Sequence, residues 1–226
     1  MSKKLEKLNQ FLEKINDKVG SNVLQIASNV KDYGKIETPF DAVNNLTGGL
    51  PIGRFTTIAG PEHTGKGAFC LQLIAHQQAK DPDFIALWTD AESAFQEDWA
   101  INLGVDLDRL IVQRYTREVH TMEKILDLAL DTIYSSGMIN LWIVDSIGAL
   151  LPKSDRYDSK DKEKPLESTN MLNLQRKLGE FYRKANVMIA PNKDYEGCAV
   201  VMIGQVYTVP DQHVTLQEVR GGNSLK

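Results

Sequence analysis

Cysteine is scarce: Cys70 and Cys198 are the only 2 in 226 residues. That is too few for a disulfide framework and points to a reducing compartment. No apolar run approaches the ~20 residues of a membrane span, and the opening MSKKLEKLNQFLEK is too polar for a secretory signal. A cationic surplus is also missing, since 26 Lys and Arg face 30 Asp and Glu for a net charge of -4. This excludes a protein that coats nucleic acid by charge alone; any phosphate binding must come from local patches. What is present is an ordinary globular balance, with 42% hydrophobic and 25% charged residues, which excludes disorder for most of the chain. The expectation is a soluble cytoplasmic protein, one large domain or one domain with a small appendage.

Lys3–Val19 is predicted as an amphipathic helix, with Leu5, Leu8, Leu12, Ile15 and Val19 at three- and four-residue steps and Gly20 placed to stop it. A helix this short is marginal alone, so its stripe must dock on its own domain or on a neighbouring subunit. Periodicity does not separate the two. Ser21–Gly49 reads as irregular, with a short strand suggested at Val23–Ile26. Apolar strands then alternate with amphipathic helices. The strands are Arg54–Ala59, Phe84–Thr89, Leu110–Gln113, Leu141–Val144 and Ala199–Ile203. The helices are Gly65–Gln78, Met122–Ser135 (Ile125, Leu128, Ala129 and Ile133 inward) and Leu166–Ala185 (Met171, Leu174, Leu178 and Phe181 on one side). This order predicts an α/β fold, a mainly parallel central sheet with helices on both faces and ligands at the C-terminal strand ends. Ser154–Lys164 and Tyr207–Gly222 fit no element, and both follow strands on that edge.

The most informative segment runs Gly60, Pro61, Glu62, His63, Thr64, Gly65, Lys66, Gly67, Ala68, between a strand and a helix. GxxxxGK in that context is the phosphate-loop signature: loop N–H groups and the helix N-terminus face an anion, and Lys66 reaches the terminal phosphates. The alternative is a Gly-rich turn with a solvated lysine. The last position of the motif should be a Ser or Thr whose hydroxyl binds Mg²⁺, but here it is Gly67, followed by Ala68. Nucleotide binding can survive this; metal-dependent hydrolysis is put in question.

Several residues at strand ends are candidates to complete such a site. Asp145 ends LWIVD, where an aspartate beside a phosphate loop orients Mg²⁺; alone, it would be read as a cap or turn former. Asp90 and Glu92 follow FIALWT, where a carboxylate can activate an attacking water or be turn chemistry. Gln205 follows AVVMIG, and its amide could bond the terminal phosphate or be a surface side chain.

Together these segments resemble the bacterial and phage RecA-family recombinases. The resemblance runs in order through GGLPIGRFTTIAGPEHTGK, TDAESAF, WAINLGVDLDRL, LWIVDSIGALLPK, VMIGQV and RGGNSLK. It implies a RecA-like phosphate-loop ATPase core, with ATP and Mg²⁺ as cofactors. It also implies single-stranded DNA as partner, held in a helical homo-oligomeric filament that performs strand exchange. By position, Lys66 looks like the phosphate-loop lysine, Asp145 like the metal-site acid, Glu92 like the catalytic glutamate and Gln205 like the γ-phosphate sensor. Trp99 falls where the family places an aromatic against the adenine, with Gln96 near the base. The unassigned stretches fall at the family's two DNA-binding loops. The first, Asp155–Ser168, carries Arg156, Lys160, Lys162 and Lys164 offset by acids; the second, Val206–Gly222, carries His213 and Arg220 beside Gly221 and Gly222. The Leu5–Val19 stripe matches the family helix that packs on the next protomer. Residues 1–33 are therefore expected as a helix and oligomerisation segment and 34–226 as the core.

Two departures stand out. Gly67 replaces the hydroxyl residue, and the chain is expected to lack the further strands and small C-terminal domain that the family's core carries beyond Lys226. These departures favour a second reading, a non-hydrolysing nucleotide-binding accessory or regulator of a full-length recombinase. The joint presence of Lys66, Glu92, Asp145 and Gln205 favours the recombinase itself. A phosphate-loop ATPase unrelated to DNA is the third reading.

Overall fold

A computed structural model describes residues 3–20, 23–30, 32–160, 162–164, 171–192, 194–210 and 215–219. Two compact units are present, Met1–Asp32 and Tyr33–Lys226. In the first, α1 (Lys3–Val19) forms as the apolar spacing predicts, and none of its residues is buried. No strand forms at Val23–Ile26. The Leu24 backbone is bonded instead to the Asn16 side chain, which donates to Leu24 O at 2.8 Å and accepts from Leu24 N at 3.0 Å. A side-chain amide offers the same donor and acceptor as a peptide edge, so it takes the place of a strand partner.

The second unit opens with β1 (Lys35–Ile36) antiparallel to β2 (Leu50–Pro51), with α2 (Asp41–Thr47) between them. The sequence predicts an irregular stretch here because elements this short show no period. The alternating series follows: β3 (Phe55–Gly60), α3 (Lys66–Lys80), β4 (Ile85–Asp90), α4 (Glu97–Asn102), β5 (Leu110–Arg114), α5 (Met122–Ser136) and β6 (Ile139–Asp145). It continues with α6 (Lys153–Arg156), α7 (Met171–Met188), β7 (Ala199–Pro210) and β8 (Thr215–Val219). The start of the helix predicted from Leu166 lies outside the described residues.

Strands β3, β7, β6, β4 and β5 lie side by side in that order, all parallel, and β8 pairs antiparallel with β7. The side-chain alternation of the strands sorts the core into two layers. Leu87, Trp142, Val144, Val200 and Met202 face α5 and α7 through Leu126, Leu130, Ile133, Leu178 and Phe181. Ala86, Trp88, Leu141, Ile143, Val201 and Ile203 face α3 through Cys70, Leu73 and Ile74. Each fully buried Leu or Ile contributes about 2 kcal/mol, so the sheet is held from both faces. One inward assignment fails: Leu128 is 47% exposed. The buried arc of α5 is centred on Met122, Leu126, Ala129, Leu130 and Ile133, which leaves Leu128 beyond its edge.

Strand β7 runs past the predicted Ile203 to Pro210, and part of the unassigned Tyr207–Gly222 stretch becomes a strand pair, Val206↔Val219 to Pro210↔Thr215. Past Gln205 the strand extends beyond its parallel neighbours, and there it pairs with β8. The carboxyl ends of the parallel strands come out level, with Gly60 opposite Gln205 and Asp90 opposite Asp145. That edge carries the site. Among the described residues, no helix is long and apolar enough to cross a membrane.

Candidate functional site

The loop after β3 reaches α3 through Gly65, whose φ of 85° turns the chain so that the helix starts at Lys66. Lys66 Nζ donates to the carbonyls of Gly60 at 3.1 Å and Pro61 at 2.6 Å, and Thr64 Oγ1 donates to Pro61 O at 2.8 Å. The lysine is thus held over its own loop, in reach of whatever the loop amides bind. A cleft of ≈ 510 Å³ opens there, lined by the 62–68 loop segment, Glu92, Trp99, Asp145, Ser146, Ile203 and Gln205.

Of the residues nominated from sequence, Glu62, His63, Thr64, Gly65, Lys66, Gly67, Ala68, Glu92, Trp99, Asp145 and Gln205 line this cleft. Gly60 ends β3 and Pro61 begins the loop. Gln96 precedes α4 at its N-cap and is not among the lining residues. Trp99, 49% exposed on α4, offers an indole face at the rim. Ser146 and Ile203 were not nominated; the signal for Ser146 was only its place after Asp145.

The two carboxylates after β4 have separate fates. Asp90 is 1% exposed and accepts from Ala94 N at 2.9 Å, Phe95 N at 3.1 Å and Arg114 Nε at 3.3 Å. It ties down the turn and is not available to a water in the cleft. Glu92 lines the cleft, and its Oε1 accepts from the Ser146 hydroxyl and, at 3.3 Å, from Gln205 Nε2. An exposed carboxylate held this way can take a proton from a water, while the Gln205 amide links it to β7.

Asp145 closes β6, and its backbone carbonyl accepts from Ala91 N at 2.7 Å. Burial pushes its carboxyl up to about 6; the Glu92 and Asp90 carboxylates push the same way and Lys66 opposes them. Position 67 faces it: a Cβ on Gly67 would stand 3.7 Å from Asp145 Oδ2. The cleft therefore suits a polyphosphate, with loop amides, Lys66 and a helix N-terminus for the anion and an indole for a base. It does not suit a divalent cation in the way the motif does. Asp145 supplies an oxygen, Gly67 supplies none, and among the described residues no three His, Cys, Asp or Glu side chains gather to hold a metal.

The cationic residues nominated for nucleic acid lie elsewhere. Tyr157 bridges to Glu163, closing a small turn. Arg156 pairs with Glu163 at 3.0 Å, and Lys164 Nζ donates to Ser154 O at 2.7 Å. The Lys160 and Lys162 backbone amides both donate to Asp158 Oδ1, at 2.8 and 2.9 Å, and their side chains are exposed. Lys164 also lines a second cleft of ≈ 620 Å³ with Lys153, Arg176 and Lys177 against Glu123 and Asp158. Arg176 and Lys177 belong to a charged stretch of α7 whose sequence has the pattern of ordinary solvated surface. His213, Arg220, Gly221 and Gly222 lie outside the described residues.

The order of these features along the chain is that of a known family, and the RecA N-terminal domain family matches residues 6–217. The chain belongs to the RecA family. Among its relatives, Protein RecA of Ruegeria pomeroyi is 35% identical over 181 residues, covering 79% of this chain and 47% of the relative. Protein RecA of Cereibacter sphaeroides is 34% identical over 180 residues, with 79% and 48% covered. Protein RecA of Paracoccus denitrificans is 33% identical over 181 residues, with 79% and 46% covered. The chain spans about half the length of the curated relatives it matches. A RecA domain implies a nucleotide site, and the α/β core with its parallel sheet and preceding helix α1 agrees with the family resemblance read from the sequence.

Proposed function

We propose that this RecA-family chain binds ATP in the cleft at the carboxyl edge of the sheet and binds single-stranded DNA in a nucleotide-dependent way. In this reading it acts as a cytoplasmic recombinase, a filament that pairs and exchanges homologous strands. The observation that carries the reading is the convergence of Lys66, Glu92, Asp145 and Gln205 on one cleft beside a phosphate loop.

In this reading the amides of residues 62–68 and Lys66 would hold the phosphates, and Trp99 would take the base. The bound ATP supplies the scissile phosphoanhydride. Glu92 would receive a proton from the attacking water, and Gln205 would report the terminal phosphate along β7 to the segment beyond it. Of the two motif positions that would hold a metal on the nucleotide, only Asp145 supplies an oxygen, and Gly67 supplies none.

Single-stranded DNA would meet the exposed Lys160 and Lys162, with Arg156, Lys164 and the cation-rich second cleft behind them. His213, Arg220, Gly221 and Gly222 complete the proposed DNA contacts from the second loop. The unburied stripe of α1, Leu5 to Val19, would dock on the next copy in the filament.

Gly67 favours a second reading, a non-hydrolysing nucleotide-binding regulator of a full-length recombinase. Titration of a fluorescent ATP analogue tests the shared part: Lys66→Ala is expected to weaken binding about tenfold or more. No binding by the unaltered chain overturns the nucleotide reading, and equal binding by the unaltered chain and Lys66→Ala removes Lys66 as a phosphate contact. Turnover of ATP with and without single-stranded DNA then separates the two, since DNA-stimulated hydrolysis by the unaltered chain excludes the regulator.

A further inference from the structure

Position 67 has kept the room for a hydroxyl side chain but not the hydroxyl. A Cβ there would meet only Asp145 Oδ2, at 3.7 Å, an ordinary van der Waals contact, and Gly67 lies within the first turn of α3. The other hydroxyls lining the cleft donate elsewhere: Thr64 Oγ1 to Pro61 O at 2.8 Å, and Ser146 Oγ to Glu92. Among the described residues, no other side-chain hydroxyl lines the cleft.

Magnesium on a nucleotide keeps near-octahedral geometry and is gripped by only one or two protein oxygens, the rest being phosphate and water. Removing one of those oxygens removes much of what distinguishes metal-bound from metal-free nucleotide to the protein. A metal can tighten nucleotide binding only by its differential interaction with the protein. Lys66 and the loop amides do not need it.

We infer that Gly67 uncouples nucleotide binding from divalent metal in this chain, so that the cleft takes ATP nearly as well without Mg²⁺ as with it. The inference rests on reading the cleft as an ATP site.

Calorimetric titration with a non-hydrolysable ATP analogue, in excess Mg²⁺ and in EDTA, tests it. The unaltered chain is expected to bind less than about fivefold more tightly with Mg²⁺, below the usual range of a coupled pair of ligands. Gly67→Ser is expected to raise that ratio by about fivefold or more, with no steric obstacle, while Gly67→Ala leaves it unchanged. A ratio of fivefold or more in the unaltered chain overturns the inference and leaves the ATP reading standing. So does an equal rise in Gly67→Ala, which would make packing rather than an oxygen the cause, or no rise in Gly67→Ser. No binding under either condition overturns the ATP reading and the inference with it. If Gly67→Ser fails to fold, the unaltered chain's ratio decides alone.

Discussion

Ser146 gives its hydroxyl hydrogen bond to Glu92 Oε1 rather than to the helical turn it precedes. It occupies the N-cap of the Ile147–Ala149 turn, where a serine commonly bonds the backbone, yet makes no capping bond with its side chain. Gln205 Nε2 reaches the same oxygen at 3.3 Å, so the residue that follows β6 and one from the middle of β7 meet on one carboxylate. Glu92 Oε2 carries neither of these bonds.

The Ser146–Glu92 bond predicts a measurable coupling. Ser146→Ala, Glu92→Ala and the double variant, compared by urea unfolding, are expected to give a coupling energy of about 1 kcal/mol. Nucleotide affinity in Ser146→Ala should change by less than about twofold, because the hydroxyl touches the carboxylate and not the phosphate loop. A coupling indistinguishable from zero would dismiss the bond.

Asp145 predicts a pH dependence. Its native carboxyl is raised to about 6, well above the ordinary aspartate range, chiefly by burial, so the folded state holds the proton more tightly than the unfolded one. For an acid shifted upward, the contribution to stability is greatest below the unfolded value and is lost as pH rises through the folded one. Asp145→Asn removes that loss, and Asp145 accepts no side-chain hydrogen bond that the substitution would break among the described residues. The variant should therefore gain on the order of 1–2 kcal/mol over the unaltered chain at pH 8, after allowance for partial solvent screening, and little at pH 4. Urea unfolding at the two pH values checks it; an equal gain at both would remove burial of the charge as the cause.

The legible part of this protein was its repeating part. Apolar runs such as LWIV and AVVMI reach both faces of a buried sheet, so composition alone marks them as strands. The phosphate loop was legible because its chemistry demands small residues at fixed spacing between a strand and a helix. Shorter or non-periodic features were not. The β1–α2–β2 segment is held by contacts such as Asn44, whose side chain donates to Thr38 O at 2.7 Å and accepts from Thr38 N at 2.9 Å. Such pairings leave no period. Asp90 and Glu92, two residues apart in one turn, could be separated only by seeing which one the main chain captures. Ser146 was invisible as a partner of Glu92 because the two are brought together only by neighbouring strands.

A buried polar chain through the sheet predicts a stability cost. Trp142 Nε1 donates to Thr89 Oγ1 at 2.9 Å, which donates to Gln113 Oε1 at 2.8 Å, and Gln113 Nε2 donates to the Ile125 carbonyl at 3.0 Å. It links β6, β4, β5 and α5 inside the layer under α5. Thr89→Val keeps the shape but leaves the indole N–H and the Gln113 oxygen without partners. The expected loss is about 2–4 kcal/mol, read by denaturant midpoint at unchanged m-value. A loss under about 1 kcal/mol would mean that the chain relaxes to find other partners.

The GGLPIGR segment offers a cleaner test of why its glycines are there. Gly49 sits at φ 102°, and a Cβ on it would stand 2.6 Å from the Ile36 carbonyl oxygen and 3.2 Å from its carbon. That carbonyl belongs to β1, which pairs Ile36 with Leu50, so neither side can retreat without opening the ladder. Gly104 provides the comparison: its φ is 90°, but a Cβ there meets only the Ala75 Cβ, at 3.7 Å. Both alanine variants meet the left-handed backbone penalty of about 1–2 kcal/mol, and only Gly49→Ala adds a clash with main chain. Gly49→Ala is therefore expected to lose about 3 kcal/mol or more and Gly104→Ala about 1 kcal/mol, by thermal or urea unfolding. Equal losses would assign the motif glycine to backbone freedom alone. A larger loss at position 49 assigns it to the close approach of β1, the contact that seats this segment at the entrance to the sheet.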